Sequence, residues 1–126
     1  MLSKTAISPT IPVDDLDRAG HFYEDKLGLD RDQRYPNMPD GILYRVGEAD
    51  LFIYKTAAKR GENTAASFWV DDLETEMRAL RDHGVSFEDY DLPGLKTEEG
   101  IAEVDGVKSA WFKDSEGNIL ALTQLR

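Results

Sequence analysis

Few side chains in this 126-residue chain could do chemistry, and their placement limits what that chemistry is. There are two histidines, His21 and His83, two doubled aspartates, Asp14-Asp15 and Asp71-Asp72, and no cysteine. Imidazole and carboxylate groups meeting at one point would hold a divalent ion or pass a proton. The missing thiol removes disulfides, thiolate metal sites and cysteine nucleophiles together. Each histidine falls in or at the end of a helix-like stretch, where it reads as a solvated group or a favourable charge near a helix C-terminus. Each aspartate pair stands directly before such a stretch, so it reads as a cap rather than an acid–base couple. Ser8 has no strand-borne histidine to activate it. Tyr44 and Tyr54 offer hydroxyls to a ligand. The stretch Glu98 to Glu103 reads as a solvated loop. Arg45, Lys55 and Lys113 stand singly, with no cluster to recognise phosphate. No residue is assigned a catalytic role.

The elements that position these groups repeat. Val13-Asp14-Asp15-Leu16 returns as Val70-Asp71-Asp72-Leu73 after 57 positions, and Leu27-Gly28-Leu29 is matched by His83-Gly84-Val85. One structural unit used twice is the expected meaning. In each copy a short β-branched strand (Ala6 to Val13, Ala65 to Val70) leads to the aspartates and then to a helix. The first helix runs from Leu16 to Lys26, with Leu16, Ala19, Tyr23 and Leu27 at helical spacing and Phe22 widening the stripe. The second places Leu73, Met77 and Leu80 on one face. Gly28 and Gly84 then stop the helices. Hairpins follow: Ile42–Val46 with Leu51–Lys55, and Ser109–Lys113 with Asn118–Thr123, turning through Gly47–Asp50 and Asp114–Gly117. Tyr35 to Gly41 and Asp91 to Leu95 read as loops, Val85 to Tyr90 as a short strand, and Lys55 to Thr64 as a polar linker.

Composition fits one soluble globular domain. Hydrophobic residues make up 40% and charged residues 32%. A formal charge of −10 disfavours nucleic acid and anionic membrane as partners and mildly favours neutral or cationic ligands. Neither a signal peptide nor a bilayer-spanning run is visible, so a cytoplasmic location is expected.

These phrases, in this order, resemble the vicinal-oxygen-chelate superfamily of glyoxalases, extradiol dioxygenases, fosfomycin-resistance enzymes and bleomycin-binding proteins. The resemblance is carried by Val13-Asp14-Asp15-Leu16-Asp17-Arg18-Ala19 with Phe22-Tyr23 and Leu27-Gly28-Leu29. It continues through Phe68-Trp69-Val70-Asp71-Asp72-Leu73 to Gly84-Val85, and ends in Phe112-Lys113-Asp114-Ser115-Glu116-Gly117-Asn118-Ile119-Leu120. It implies an α+β fold of two tandem βαβββ modules forming cupped mixed sheets. Module one would span about 5–56, the linker 57–64 and module two about 65–124, all within a single domain of residues 1–126.

In the superfamily's metalloenzymes four strand positions supply His, Gln or Glu to a divalent ion. Residue by residue, the resemblance carries these to Ser8, Phe52, Ala65 and Ala121. None is a competent ligand, and neither are the neighbours Ile7, Pro9, Ala66 and Leu120. No metal and no cofactor are therefore expected. Strand alternation places Phe52 and Tyr54 with Asp50 on one face, Ala65, Ser67 and Trp69 on another, and Ala121 with Ile119 and Thr123 on a third. The expected ligand-binding residues are Ser8, Thr10, Tyr44, Phe52, Tyr54, Ala65, Ser67, Trp69, Trp111 and Ala121, an aromatic lining with small and hydroxylated residues. The implied function is metal-free binding of a small aromatic or cationic organic ligand, as in antibiotic sequestration by the bleomycin-resistance branch. The alternative is a glyoxalase-like lyase, isomerase or dioxygenase-type enzyme using non-standard residues or an unanticipated metal. A homodimer is expected from the way the family pairs its modules.

Overall fold

The computed structural model describes residues 1, 3–4, 6–36, 38–56, 61 and 63–125. It is α+β, with two four-stranded mixed sheets, and the chain divides into two compact units, Met1–Arg60 and Gly61–Arg126. Most of the expected linker (57–60 and 62) lies outside the described residues, and its last residue, Thr64, already belongs to a strand.

In the first unit, β1 (Thr10–Val13) leads to α1 (Leu16–His21), followed by β2 (Asp30–Arg31), β3 (Gly41–Val46) and β4 (Ala49–Lys55). The sheet order is β1-β4-β3-β2, with β1 parallel to β4 and the other pairs antiparallel. The expected strand over Ala6 to Val13 shrinks to its last four residues. Pro12, which donates no ladder bond, is tolerated because β1 is a sheet edge. Alternation buries Ile11, Val13, Leu51 and Ile53 with Ile42 and Tyr44 on the face that meets Ala19, Phe22 and Tyr23.

The helix starts where the aspartates predict, with the Asp15 carboxylate accepting the Arg18 N–H at 3.0 Å. It does not stay α-helical to Lys26. From Phe22 to Lys26 it widens into a π-helical turn, closed by the Leu27 N–H on the Phe22 carbonyl at 3.2 Å. Within this turn Phe22 and Tyr23 are both buried, and Glu24 reaches Tyr44 and Arg31 on the sheet. Gly28, at φ 72°, ends the helix, and the Leu29 N–H returns to the Tyr23 carbonyl six residues back, a closure one residue wider than the Schellman motif because it follows the π-helical turn.

In the second unit, β5 (Thr64–Trp69) leads to α2 (Leu73–Asp82). A small hairpin of β6 (Asp91–Leu92) and β7 (Leu95–Lys96) follows, then β8 (Ala102–Val104), β9 (Val107–Lys113) and β10 (Ile119–Gln124). The main sheet runs β5-β10-β9-β8, with β5 parallel to β10. Asp72 caps α2 through the Thr75 N–H at 3.2 Å, and Gln124 Oε1 accepts the Leu73 N–H at 2.8 Å. The hydrogen bonds from Thr75 hold the carboxylate of Asp72 below its ordinary range. Leu73, Met77 and Val85 pack on the side of Ala110, Phe112, Leu120 and Leu122.

Two expectations change here. Val85 to Tyr90 forms only one bridge, Phe87 to Phe112, instead of a strand. The stretch Asp91 to Leu95, expected as loop, is a hairpin turning at Gly94 (φ 80°). In the last turn the Asp114 carboxylate, buried, accepts the N–H groups of Glu116 and Asn118 and the Asn118 side-chain amide, each at 2.8 Å. This accounts for the phrase Asp-Ser-Glu-Gly-Asn as an anchored turn.

Candidate functional site: the open sheet faces

Each four-stranded sheet has one face turned to its helix and one face free of it. Cross-strand partners share a face, so the register determines what each open face displays.

In the first unit, Thr10, Phe52 and Leu43 form one row, Pro12, Tyr54 and Gly41 the next, with Asp50 and Arg45 beyond. Phe52 lies down over Gly41: a Cβ there would sit 2.5 Å from its ring tip. Its ring stacks with that of Tyr54, centroids 6.1 Å apart and planes 10° from parallel. Arg45 and Asp50 pair at 3.3 Å at the end of this face. Three expected ligand residues, Thr10, Phe52 and Tyr54, are thus together. Ser8 stands before the strand, outside the ladder, because pairing with β4 begins at Thr10.

Tyr44 must be moved off the site. It is on the helix side of β3 with no exposed surface, stacked on Tyr23 at 6.0 Å and donating its hydroxyl to Glu24 Oε2 at 2.9 Å. Burial first, then the Glu24 carboxylate, push its hydroxyl far above the usual phenol range. Arg31 forks onto the same carboxylate at 3.1 and 3.0 Å, so all three groups have partners within the first unit's own packing.

The second unit's open face is furnished differently. Trp69, Thr123 and Ser109 form one row, and Ser67, Ala121 and Trp111 the next. Trp111 Nε1 donates to Thr64 Oγ1 at 3.2 Å. Those residues are two strands apart, about 10 Å at the usual strand spacing. The indole must therefore lie along the sheet across β10, and Ala121 beneath it is only 3% exposed. Tyr90 stands edge-on to that indole, centroids 5.7 Å apart and planes at 78°.

Tyr90 is held by its own loop. Its N–H donates to Thr97 Oγ1 at 2.8 Å, Thr97 Oγ1 donates to Asp89 Oδ1 at 2.9 Å, and the Gly100 N–H reaches the same Asp89 oxygen at 2.8 Å. Burial raises the Tyr90 hydroxyl above its ordinary value, with Glu88 adding to the shift. Beside the indole, Ser67 Oγ and Thr123 Oγ1 are 2.7 Å apart, and Ser109 Oγ lies 3.5 Å from Thr123. Trp69 is 77% exposed. Ala65 does not share this face cleanly, because the register of β5 against β10 shifts between Ile119 and Leu120, leaving it as an extra residue.

Thr64, Tyr90 and Ser109 were not anticipated as lining. Ser109 was legible in principle: a hairpin centred on Asp114–Gly117 that pairs Trp111 with Ala121 also pairs Ser109 with Thr123. Tyr90 had no such signal, because a loop places it.

The four positions that the superfamily's metalloenzymes use for ligands do not fit a metal here. Phe52, Ala65 and Ala121 carry no donor atom, and Ser8 offers only a neutral hydroxyl. Among the described residues no three His, Cys, Asp or Glu side chains converge to hold an ion. His21 faces Asp25 at 3.3 Å and His83 faces the Ala79 carbonyl at 3.0 Å, both on exposed helix surfaces. Among the described residues no helix is long and apolar enough to cross a membrane.

A family model described as bleomycin resistance protein-like N-terminal matches residues 5–38. No curated protein matches the chain in sequence. Solved structures resemble it over nearly its whole length. TnmS3, an antibiotic binding protein from Streptomyces sp. CB03234, aligns with a TM-score of 0.71 at 20% identity, covering 100% of this chain and 99% of its own. Lactoylglutathione lyase from Agrobacterium tumefaciens aligns with a TM-score of 0.71 at 16% identity, covering 98% and 96%. The fosfomycin resistance protein FosX from Mesorhizobium loti gives 0.65 at 16% identity, covering 100% and 95%. At such identities the likeness speaks for fold, and activity is a separate question. The bleomycin-resistance-like match is confined to that N-terminal segment, and the whole-length likeness shows the fold that this chain shares with these proteins.

Proposed function

We propose that this protein binds a small planar organic molecule, aromatic or cationic, without transforming it through a metal. The observation that carries this reading is that both tryptophans of the chain lie on one open sheet face, away from the core helix. Leaving Trp69 at 77% exposure forgoes burial of on the order of 150 Å², worth about 4 kcal/mol. A flat Trp111, an edge-on Tyr90 and a cluster of hydroxyls form a stacking platform with polar handles. The antibiotic-binding protein among the structural neighbours agrees with sequestration as the use of such a platform. A cytoplasmic homodimer completes the reading, and sedimentation at micromolar concentration checks it by expecting twice the chain mass.

Titration of the full chain with a panel of planar antibiotics, read by tryptophan fluorescence and calorimetry, tests the binding. Saturable changes in indole emission at unit stoichiometry are expected, together with no stoichiometric heat from Mn, Ni, Zn or Fe(II). A tight divalent ion that any of these ligands requires would sink the reading.

A further inference from the structure

We infer that the second unit's open face selects a neutral planar aromatic bearing hydroxyl or carbonyl groups over an aromatic cation of the same size. This rests on the binding reading above and narrows it to one half of its ligand class.

The three hydroxyls carry the argument. Ser67, Thr123 and Ser109 each have one hydrogen to donate and two lone pairs to accept with. Two contacts join them, at 2.7 and 3.5 Å. At most two of their three hydrogens are used inside the cluster, so at least one O–H and several lone pairs face outward from the exposed Ser67 and the half-buried Thr123 and Ser109. A ligand hydroxyl or carbonyl matches that mixed inventory; an ammonium or pyridinium can satisfy neither outward donors nor, without its own N–H, the lone pairs.

The charges of this face give a cation no local advantage. Among the described strand residues of this face the one charged group is Lys113, whose Nζ lies 3.9 Å from Glu88. No carboxylate of these strands shares the face with the tryptophans: Glu103 pairs with Lys108 on the opposite side, where Lys108 meets Glu74. The chain's charge of −10 draws cations toward the whole surface, a long-range effect that salt screens. A cation over an exposed indole gains about as much as one ordinary hydrogen bond gives, and Lys113, paired with Glu88, adds no net charge for or against it. The hydroxyl cluster offers more than one such bond.

Equilibrium dialysis of the full chain with three two-ring probes tests this: naphthalene-2,6-diol, naphthalene and N-methylquinolinium. The diol is expected to bind at least tenfold more tightly than the cation. The double variant Ser67→Ala/Thr123→Val is expected to weaken the diol about tenfold, bringing it level with naphthalene, whose own binding stays put. Ser67→Thr, which keeps a hydroxyl, should retain the preference, and the melting temperature of each variant reports whether the sheet is intact.

Cation binding equal to or tighter than that of the diol overturns the inference while leaving an aromatic binder standing. A diol preference that survives the double variant also overturns it, because the hydroxyls are then not its source. Failure of all three probes to bind removes the binding reading itself.

Discussion

Across the first unit's open face runs the row Thr10, Phe52, Leu43; across the second unit's runs Ser67, Ala121, Trp111. The two rows occupy corresponding places in the same βαβββ frame, yet their bulk is exchanged. In the first the large ring is on the central strand, lying over Gly41 and stacked on Tyr54. In the second the central residue is alanine, and the large ring comes from the neighbouring strand and lies across it. A ring rooted at the centre of a sheet and laid on a glycine fills the face with itself. A ring laid over a small residue from the side makes a floor on which something else can lie. The frame is maintained by the opposite faces and the helix caps, so the open faces are free to diverge.

Replacing Trp111 with alanine gives the largest effect expected from this comparison. It removes the floor, the bond to Thr64, the edge contact with Tyr90 and the cover over Ala121. Urea unfolding should show a loss of about 3 kcal/mol, at the low end for an aromatic because the ring is only half-buried. Planar-ligand affinity should fall more than tenfold. Unchanged affinity would show that the floor is not where ligands lie, and the contrast between the faces would lose its functional meaning.

Gly41 sharpens the other side. A Cβ there meets the Phe52 ring at 2.5 and 2.7 Å, so Gly41→Ala must push the ring off its seat, at about 2 kcal/mol. Combined with Phe52→Ala, which takes the ring away, that cost should vanish. A double-mutant cycle in urea reads the coupling directly. Additive effects would mean that the ring does not rest on the glycine.

What could be read from the residues beforehand follows from the range of the forces involved. Caps, helix stops and hairpins are written within a few positions: Asp15 and Asp72 accept the N–H groups three residues on, and Gly28 and Gly84 take the positive φ a stop needs. Even the missed strand β8 had a local mark, since Asp105-Gly106 between Val104 and Val107 turns with both φ positive. Phe52, Tyr54, Ser67 and Trp69 were assigned their faces correctly because alternation needs only strand direction. Tyr44, expected among the binding residues, lies on the helix side, and parity alone does not say which face the helix covers. The Tyr23 ring and Glu24 carboxylate that claim it arrive through a π-helical turn that periodicity read as plain α-helix. Ala65 failed for a similar reason: one extra residue in β5 breaks the count.

Tyr44 also provides the mildest and most specific test that the first unit's helix side is closed core. Tyr44→Phe keeps the ring on Tyr23 and deletes the hydroxyl, leaving Glu24 to Arg31, at a cost of about 1 kcal/mol at pH 8. The wild-type hydroxyl is held protonated in the folded chain well above its ordinary value of 10.0. The unfolded chain releases that proton near pH 10, so wild-type stability is complete below this and declines as pH rises above it. The phenylalanine variant has no such proton to lose at this position. Its disadvantage should therefore shrink from pH 9 upward and reverse close to pH 11, where each further pH unit costs the wild type roughly 1.4 kcal/mol more than the variant. Parallel urea midpoints for the two proteins across that range would mean that the Tyr44 hydroxyl ionises in place, as a solvated phenol does. Tyr44 would then belong to an open face, and the division of the first unit into a sealed side and a filled side would fail.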